Sequence, residues 1–136
     1  MSYLQEQIDI ESLFATQWAA GPNTPIEWDN SDFDPNSTQE AYVSVIVQGI
    51  SARQVELGKA TNNYRHIGDI VVMCFTPVDQ GGAAAKTLAD AAANIFRSKF
   101  IGSGIVTRSP NVSRVGRVGS WFQVNVTTRF HRDTIF

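Results

Sequence analysis

The stretch that comes closest to a nucleotide-binding motif combines glycine, lysine and threonine at residues 81–87. It reads Gly81-Gly82-Ala83-Ala84-Ala85-Lys86-Thr87 and follows an apolar run, as a phosphate-binding loop would. Such a loop needs a glycine directly before the lysine and another five residues earlier, so that backbone amides can wrap the phosphates. Those positions hold Ala85 and Gln80. We therefore interpret the stretch as the start of a helix and expect no nucleotide cofactor.

Residues that could bind a metal or act as a catalytic base are also poorly placed. His66 and His131 are far apart and lack the HExxH spacing of zinc hydrolases. Asp29, Asp32 and Asp34 alternate as calcium ligands do, but the loop glycine and distal glutamate of an EF-hand are missing. A solvated acidic loop is our interpretation. We expect no catalytic, cofactor-binding or metal site, and therefore no enzyme.

Length and composition indicate one compact domain spanning 1–136. The chain has 136 residues, of which 43% are hydrophobic, enough to build a core. No apolar run approaches the about 20 residues of a membrane span, and the N-terminus does not resemble a secretory signal. The single cysteine, Cys74, excludes an intramolecular disulfide and lies in an apolar run, so we expect it to be buried. These features predict a soluble protein that stays where it is made.

Charge is divided unevenly along the chain. Residues 1–52 carry eight acidic residues and no lysine or arginine, whereas residues 97–136 carry seven basic residues against Asp133 alone. Three interpretations stay open. The two segments could face each other or water within one fold, they could form a head-to-tail contact between copies, or the basic segment could lie near nucleic acid.

Hydrophobic periodicity predicts two helices. Ile10, Phe14 and Trp18 recur every four residues, which predicts a helix over about 3–20. A second helix is predicted over 83–100, where apolar residues again recur at helical spacing. Between the first helix and the first strand, residues 21–39 are irregular, but their apolar side chains indicate a loop that is anchored.

Alternating and β-branched stretches predict about five strands. They cover residues 42–48, 52–57, 64–75, 105–118 and 121–130. Gly68 interrupts the third of these, which indicates a bulge or a close backbone approach. The order of elements predicts an α+β fold, a mostly antiparallel sheet of about five strands with two helices packed on one face.

The irregular loop resembles a pattern found in the tail terminator, or tail completion, proteins of long-tailed bacteriophages. The similar stretch reads Thr24-Pro25-Ile26-Glu27-Trp28-Asp29-Asn30, followed by Phe33-Asp34-Pro35 and a strand that opens with Tyr42. Further matches are Gly58, Arg65, Gly68-Asp69-Ile70, the alanine-rich helix and Trp121-Phe122-Gln123-Val124-Asn125-Val126. The resemblance covers nearly the whole chain.

This resemblance implies a structural assembly protein. Members of the family form a ring, generally hexameric, on the head-proximal end of the tail tube, where the ring stops tube polymerisation and presents a surface for the head connector. The implied partners are other copies of the chain, the tail tube protein, the head–tail connector and DNA that passes through the lumen without sequence-specific binding. The implied location is the virion tail, assembled in the host cytoplasm.

Two groups of residues are candidates for contacts in such a ring. The candidates for a subunit or tail-tube interface are Trp28, Asp29, Asp32, Phe33 and Asp34. The candidates for the channel wall or a subunit interface are Arg108, Arg114 and Arg117. For the aromatic pair in the loop a second interpretation stays open, in which the two rings pin the loop over the core of their own subunit.

Two other functions are compatible with the sequence. One is a different head–tail connector or minor tail component, because such proteins also combine a small α+β fold with a lack of catalytic residues. The other is a small ligand-binding or enzymatic α+β domain, for which Tyr64, Arg65, His66 and Asp69 are the best available polar cluster.

Overall fold

A computed structural model of the chain describes residues 3–31, 34, 40–54, 63–102 and 104–135. Within these residues the backbone forms two α-helices, a short 3-10 turn at Val78–Gln80 and seven strands. The helices are α1 (Tyr3–Ala20) and α2 (Gly81–Phe96). The strands are β1 (Ile26–Trp28), β2 (Tyr42–Gln54), β3 (Asn63–Pro77), β4 (Phe100–Ile101), β5 (Ile105–Thr107), β6 (Asn111–Val118) and β7 (Trp121–Ile135).

Helix α1 has the bounds that its periodicity predicts. Ile10, Phe14 and Trp18 are fully buried along one side of the helix. The ring of Phe14 stacks on Trp18 and on Phe96 of α2, with centroid separations of 5.0 and 5.8 Å. The helix ends where the carbonyl of Trp18 accepts hydrogen bonds from the amides of Gly21 and Asn23. The aromatic face of α1 therefore ties the two helices together.

Helix α2 is shorter than the predicted 83–100. The hydroxyl of Thr107 donates to the carbonyl of Phe96 at 2.6 Å and accepts from the amide of Lys99 at 2.6 Å, so a side chain from β5 closes the helix. Phe100 then opens β4 and is 71% exposed, whereas its helical spacing predicted burial. The predicted helix end at residue 100 is wrong because the hydrogen bonds that end α2 come from Thr107, which follows the helix in sequence.

All seven strands belong to one sheet, in which β7 has two partners on the same side. The strand order is β1-β2-β3-β7-β5-β4, and β6 also pairs with β7. Strand β6 pairs with residues 121–127 of β7, and β5 pairs with residues 130–131. Strand β1 runs parallel to β2, and the other pairs are antiparallel. Among the described residues, β1 and β6 each have one strand partner.

The predicted sheet of about five strands is wrong. The structure has seven strands in a curled half-barrel, a larger and more curved sheet than expected. Strands β1, β4 and β5 have only two or three residues, too few to show an alternating pattern. The single strand predicted over 105–118 is divided into β5 and β6. The separate strands predicted over 42–48 and 52–57 are also wrong, because β2 runs without interruption to Gln54 and pairs with β3 along its length. Register shifts at Gly49/Ser51 and Arg114/Gly116 add local twist, which favours curling.

Gly68 lies both beside a bulge and at a close backbone approach, the two features that a glycine inside a strand indicates. It pairs with Gly49, and the register of β2 shifts directly after that residue. A Cβ atom at position 68 would lie 2.6 Å from the ring of Phe130 and 2.7 Å from the carbonyl oxygen of Gln48. Only glycine therefore fits where β3 passes between β2 and the Phe130 ring.

The sheet has two different faces. The face that packs on the helices, here called the helix face, carries the buried core side chains of the three long strands. These are Val43, Val45, Ile70, Val72, Cys74, Val124, Val126 and Phe130. Because side chains alternate along a strand, Arg65, Ile67 and Asp69 of β3 lie on the opposite face, as do Arg129, His131 and Asp133 of β7. We call this the opposite face.

Candidate assembly surface

The acidic candidates lie at the β1 side of the sheet. Trp28 ends β1 and is half-buried, with its ring 6.2 Å from that of Phe14 in an edge-on arrangement. Asp29 and Asp34 are exposed. Asp32 and Phe33 lie outside the described residues. Trp28 therefore contacts the core of its own chain and anchors the start of the acidic loop.

The basic candidates divide into two places. Arg114 and Arg117 lie on β6, where the guanidinium of Arg114 sits 5.4 Å from the centroid of the Phe122 ring. The Nε of Arg117 donates to the carbonyl of Gly119 at 3.4 Å, within the tight turn that joins β6 to β7. Both arginines are exposed. They belong to a hairpin whose outer edge has no strand partner among the described residues.

The β6 strand exposes apolar side chains as well as arginines. Val112, Val115 and Val118 are each between 44% and 48% exposed. No acidic residue lies between positions 105 and 132. The strand therefore combines three exposed valines, two guanidinium groups and an edge that pairs with no strand in the described part of the chain, which together suit a contact with an acidic protein surface.

Arg108 lies apart from the β6 hairpin, in a cavity that sequence reasoning did not find. The cavity has a volume of about 200 Å³ and is lined by Arg53, Arg65, Ile67, Arg108, Arg129, Phe130 and His131. Its residues come from β2, β3, β7 and the segment after β5. We call it the cationic pocket. No local pattern could have revealed it, because strand pairing brings together residues as far apart as 53 and 129.

Two of the pocket arginines form ion pairs on the opposite face. Arg65 donates from Nε and from a terminal nitrogen to the two carboxylate oxygens of Asp133, at 2.9 and 3.1 Å. Arg129 donates from Nε to Asp69 at 3.2 Å. The hydrogen bond from Arg65 holds the pKa of Asp133 below its usual value. Burial, followed by the nearby charges of Arg65 and Arg108, lowers the pKa of His131.

A second buried polar group links α1 to the sheet. Arg132 donates from Nε to Glu6 at 2.6 Å, and both side chains are nearly inaccessible to solvent. The Arg132 guanidinium lies 4.9 Å from the Tyr3 ring centroid, and the Tyr3 hydroxyl is 3.1 Å from Nδ1 of His66. Burial, followed by the charge of Arg132, lowers the pKa of His66. Sequence reasoning missed this group because its members are far apart in the chain, with Glu6 and Arg132 separated by 126 positions.

These contacts bear on the candidate polar cluster of residues 64–69. His66 faces the helices and contacts Tyr3. Arg65 and Asp69 lie on the opposite face, in separate ion pairs with Asp133 and Arg129. The sheet therefore separates His66 from the two charged residues instead of bringing them together around one pocket.

A groove of about 390 Å³ lies between the helices near β4. Its lining includes Asp9, Leu13, Ile95, Lys99 and Phe100. Gly102, with a φ of +59°, lies so close to the carboxylate of Asp9 that a Cβ atom would clash with it. The groove is mixed in polarity, and Phe100 is its most exposed apolar member.

Comparison with known proteins agrees with the resemblance seen in the sequence. The family model of the phage tail terminator proteins matches residues 10–130. The chain belongs to the phage tail terminator family, and it is therefore a structural component of a phage tail. The family consists of structural proteins and is not known for enzymatic activity.

Solved structures show that the fold is shared. A protein that carries no functional description is 17% identical, with 97% of this chain and 96% of that chain covered and a TM-score of 0.68. A chain from the virion of a native gene transfer agent particle is 18% identical, with 98% and 100% covered and a TM-score of 0.60. The comparison with curated proteins gives no match.

Among the helices of the described residues, neither is long and apolar enough to cross a bilayer.

Proposed function

We propose that this protein assembles into a hexameric ring on the head-proximal end of the phage tail tube. The ring ends tube polymerisation and presents the surface that joins the tail to the head connector. Its role is structural and involves no catalysis. Assembly takes place in the host cytoplasm, and DNA passes through the lumen without being read in sequence. Membership of the tail terminator family supports this role.

The observation that carries the ring is the opposite charge at two sides of the sheet. A closed ring of identical subunits needs heterologous contacts, in which one patch of a subunit meets a different patch of its neighbour. Strand β1 ends the sheet on one side, and the β1–β2 connection carries Asp29, Asp32 and Asp34. Strand β6 lies beyond β7 on the other side and carries Arg114 and Arg117. These two patches are complementary in charge.

Each candidate residue has a role in this arrangement. Trp28 anchors the acidic loop to its own core, and Phe33 together with the three aspartates contacts the next subunit or the tail tube. Arg114 and Arg117 receive the acidic loop, and Arg108 faces the lumen. The exposed valines of β6 are covered in the same contact, which gives an edge strand of eight residues a partner.

A charge-exchange experiment tests the heterologous contact. Asp29→Arg/Asp34→Arg and Arg114→Glu/Arg117→Glu each place like charges at the interface, and each pair alone is expected to abolish ring assembly. All four changes in one chain restore opposite charges and are expected to restore the ring. Assembly is read by native mass spectrometry and by capping of growing tail tubes.

The matched control changes the same amount of charge elsewhere. Lys86, Arg97 and Lys99 are exposed and lie on or next to α2. Their triple replacement by glutamate is compared with the triple replacement of Arg108, Arg114 and Arg117. If charge reversal at Arg108, Arg114 and Arg117 leaves both ring assembly and tube capping intact, these arginines do not lie at the channel wall or at a subunit interface.

The contribution of Trp28 is tested separately. Trp28→Ala removes the contact of the indole side chain with Phe14. If this side chain serves the core of its own subunit, the variant should lower the stability of the monomer. A stable monomer that does not assemble would instead place Trp28 in the interface.

A further inference from the structure

The cationic pocket holds more positive charge than the acidic side chains of the described residues neutralise. Four guanidinium groups line it, from Arg53, Arg65, Arg108 and Arg129. Asp133 pairs with Arg65, and Asp69 pairs with Arg129. Arg53 and Arg108 form no ion pair with an acidic side chain of the described residues. The pocket therefore has a formal excess of two positive charges.

The unused hydrogen-bond donors of the pocket are numerous. A guanidinium has several N–H donors in a planar fork, and it accepts no hydrogen bonds. Among the described residues, Arg129 donates to the carboxylate of Asp69 from Nε, so the terminal nitrogens of that arginine are not used in this pair. The buried Nδ1 of His131 has no hydrogen-bond partner among the described residues. The pocket thus brings together donors on three strands and one connecting segment.

Like charges gathered around a small cavity repel one another, and an anion bound among them relieves that repulsion. Repulsion between charges grows as the surrounding medium becomes less polar, and Ile67 and Phe130 line part of this cavity. Guanidinium forks match phosphate oxygens through paired hydrogen bonds, and a tetrahedral phosphate can accept from several directions at once. A planar carboxylate uses fewer of the donors that surround this cavity.

We propose that the cationic pocket is a phosphate-binding site, in which Arg53 and Arg108 supply the main charge and Arg65, Arg129 and His131 complete the donor set. The backbone of DNA is the source of the phosphate in the assembled tail, and this source rests on the proposed function. The site itself does not depend on ring formation.

Histidine titration by NMR tests the site directly. The chain has two histidines, and His131→Gln assigns their resonances. His131 lines the pocket, whereas His66 faces the helices on the other side of the sheet, so His66 serves as an internal control. Inorganic phosphate at constant ionic strength is expected to raise the pKa of His131 by about one unit, because a nearby anion favours the charged ring. The pKa of His66 should not move. An unchanged His131 titration, or equal shifts of both histidines, would overturn the proposal.

Variants separate the site from general surface charge. Arg53→Gln and Arg108→Gln are each expected to weaken phosphate binding about tenfold, the effect of losing hydrogen bonds to a charged group. Arg97→Gln removes an exposed arginine outside the pocket and should have no effect. Equal weakening by Arg97→Gln and Arg108→Gln would show nonspecific binding and overturn the proposal.

A second arm tests the source of the phosphate. Binding of a short DNA duplex is measured as a function of salt for the same three variants. Arg53→Gln and Arg108→Gln are expected to weaken duplex binding and to reduce its salt dependence, while Arg97→Gln is not. Duplex binding that is insensitive to Arg53 and Arg108 would show that DNA is the wrong source. Because the phosphate titration gives its result in any oligomeric state, failure to form a ring would overturn the proposed function and not the pocket.

Discussion

Breaking the buried ion pair between Glu6 and Arg132 should strongly destabilise the packing of α1 on the sheet. The two side chains are 6% and 2% exposed, and Nε lies 2.6 Å from the carboxylate. Glu6→Gln removes the negative charge and keeps the shape. Loss of one partner of a buried pair costs about 3–5 kcal/mol because the other charge remains buried. Since the glutamine oxygen still accepts a hydrogen bond, we expect the lower end, about 3 kcal/mol.

This cost is large for a domain whose total stability is about 5–15 kcal/mol. It corresponds to a decrease of about 10 °C in Tm for a chain of this length. Urea unfolding at a fixed protein concentration, followed by tryptophan fluorescence, measures it. Glu11→Gln, on the same helix and hydrogen-bonded to Gln7, is the matched control and should change stability by less than about 0.5 kcal/mol.

A double-mutant cycle completes the test. Arg132→Met leaves the Glu6 carboxylate buried without its cation, so this variant should also be strongly destabilised. Glu6→Gln/Arg132→Met contains no unpaired charge, and its cost should fall below the sum of the two single costs by about 2 kcal/mol. Additive costs, or equal effects of Glu6→Gln and Glu11→Gln, would refute the reasoning.

Three further outcomes are expected. Gly68→Ala should lower the free energy of unfolding by about 1–3 kcal/mol, because the added Cβ atom overpacks the site. Gly49 lies directly opposite and has room for a Cβ atom, so Gly49→Ala should cost less. Equal losses of stability in urea unfolding would contradict this prediction. Burial and neighbouring cations lower the pKa of both His66 and His131, so the unfolded chain binds protons first as the pH falls through 6.5. Stability should therefore decrease from about pH 7 to pH 5, and a double His→Gln variant that keeps the full slope would refute the assignment. Burial raises the pKa of Cys74 to about 12, so its thiol should react with a disulfide reagent only after unfolding; rapid labelling of the native protein would disagree.

Local pattern was a good guide to the long elements of this fold. The four-residue spacing of Ile10, Phe14 and Trp18 predicts the buried side of α1, and alternation predicts the long strands. Gly68 was correctly interpreted as a special position. These features are encoded locally, because helix and strand periodicities depend on neighbours in sequence.

The features that sequence could not predict depend on contacts between distant segments. Strand β1 exists because residues 26–28 pair with β2, and the end of α2 is set by Thr107. The ion pair of Glu6 with Arg132 and the cationic pocket likewise need the whole sheet. The charge division along the chain was visible, but one of its acidic residues turned out to be neutralised inside the same chain.

The family resemblance was carried by the loop motif and the strand patterns, and the family model confirms it. The candidate interface residues followed from that resemblance and from charge. The structure gives them distinct surroundings, with Trp28 on the core, Arg114 and Arg117 on β6, and Arg108 at the pocket. Their contacts between subunits stay predictions.

The proposed ring requires copies of this chain to meet through oppositely charged sides of the sheet. Native mass spectrometry of the purified protein across a concentration series, with and without tail tubes, tests it most directly. A hexameric species, either free or released from capped tubes, is the predicted result. A strict dimer at every concentration, with no capping of growing tubes, would contradict the account.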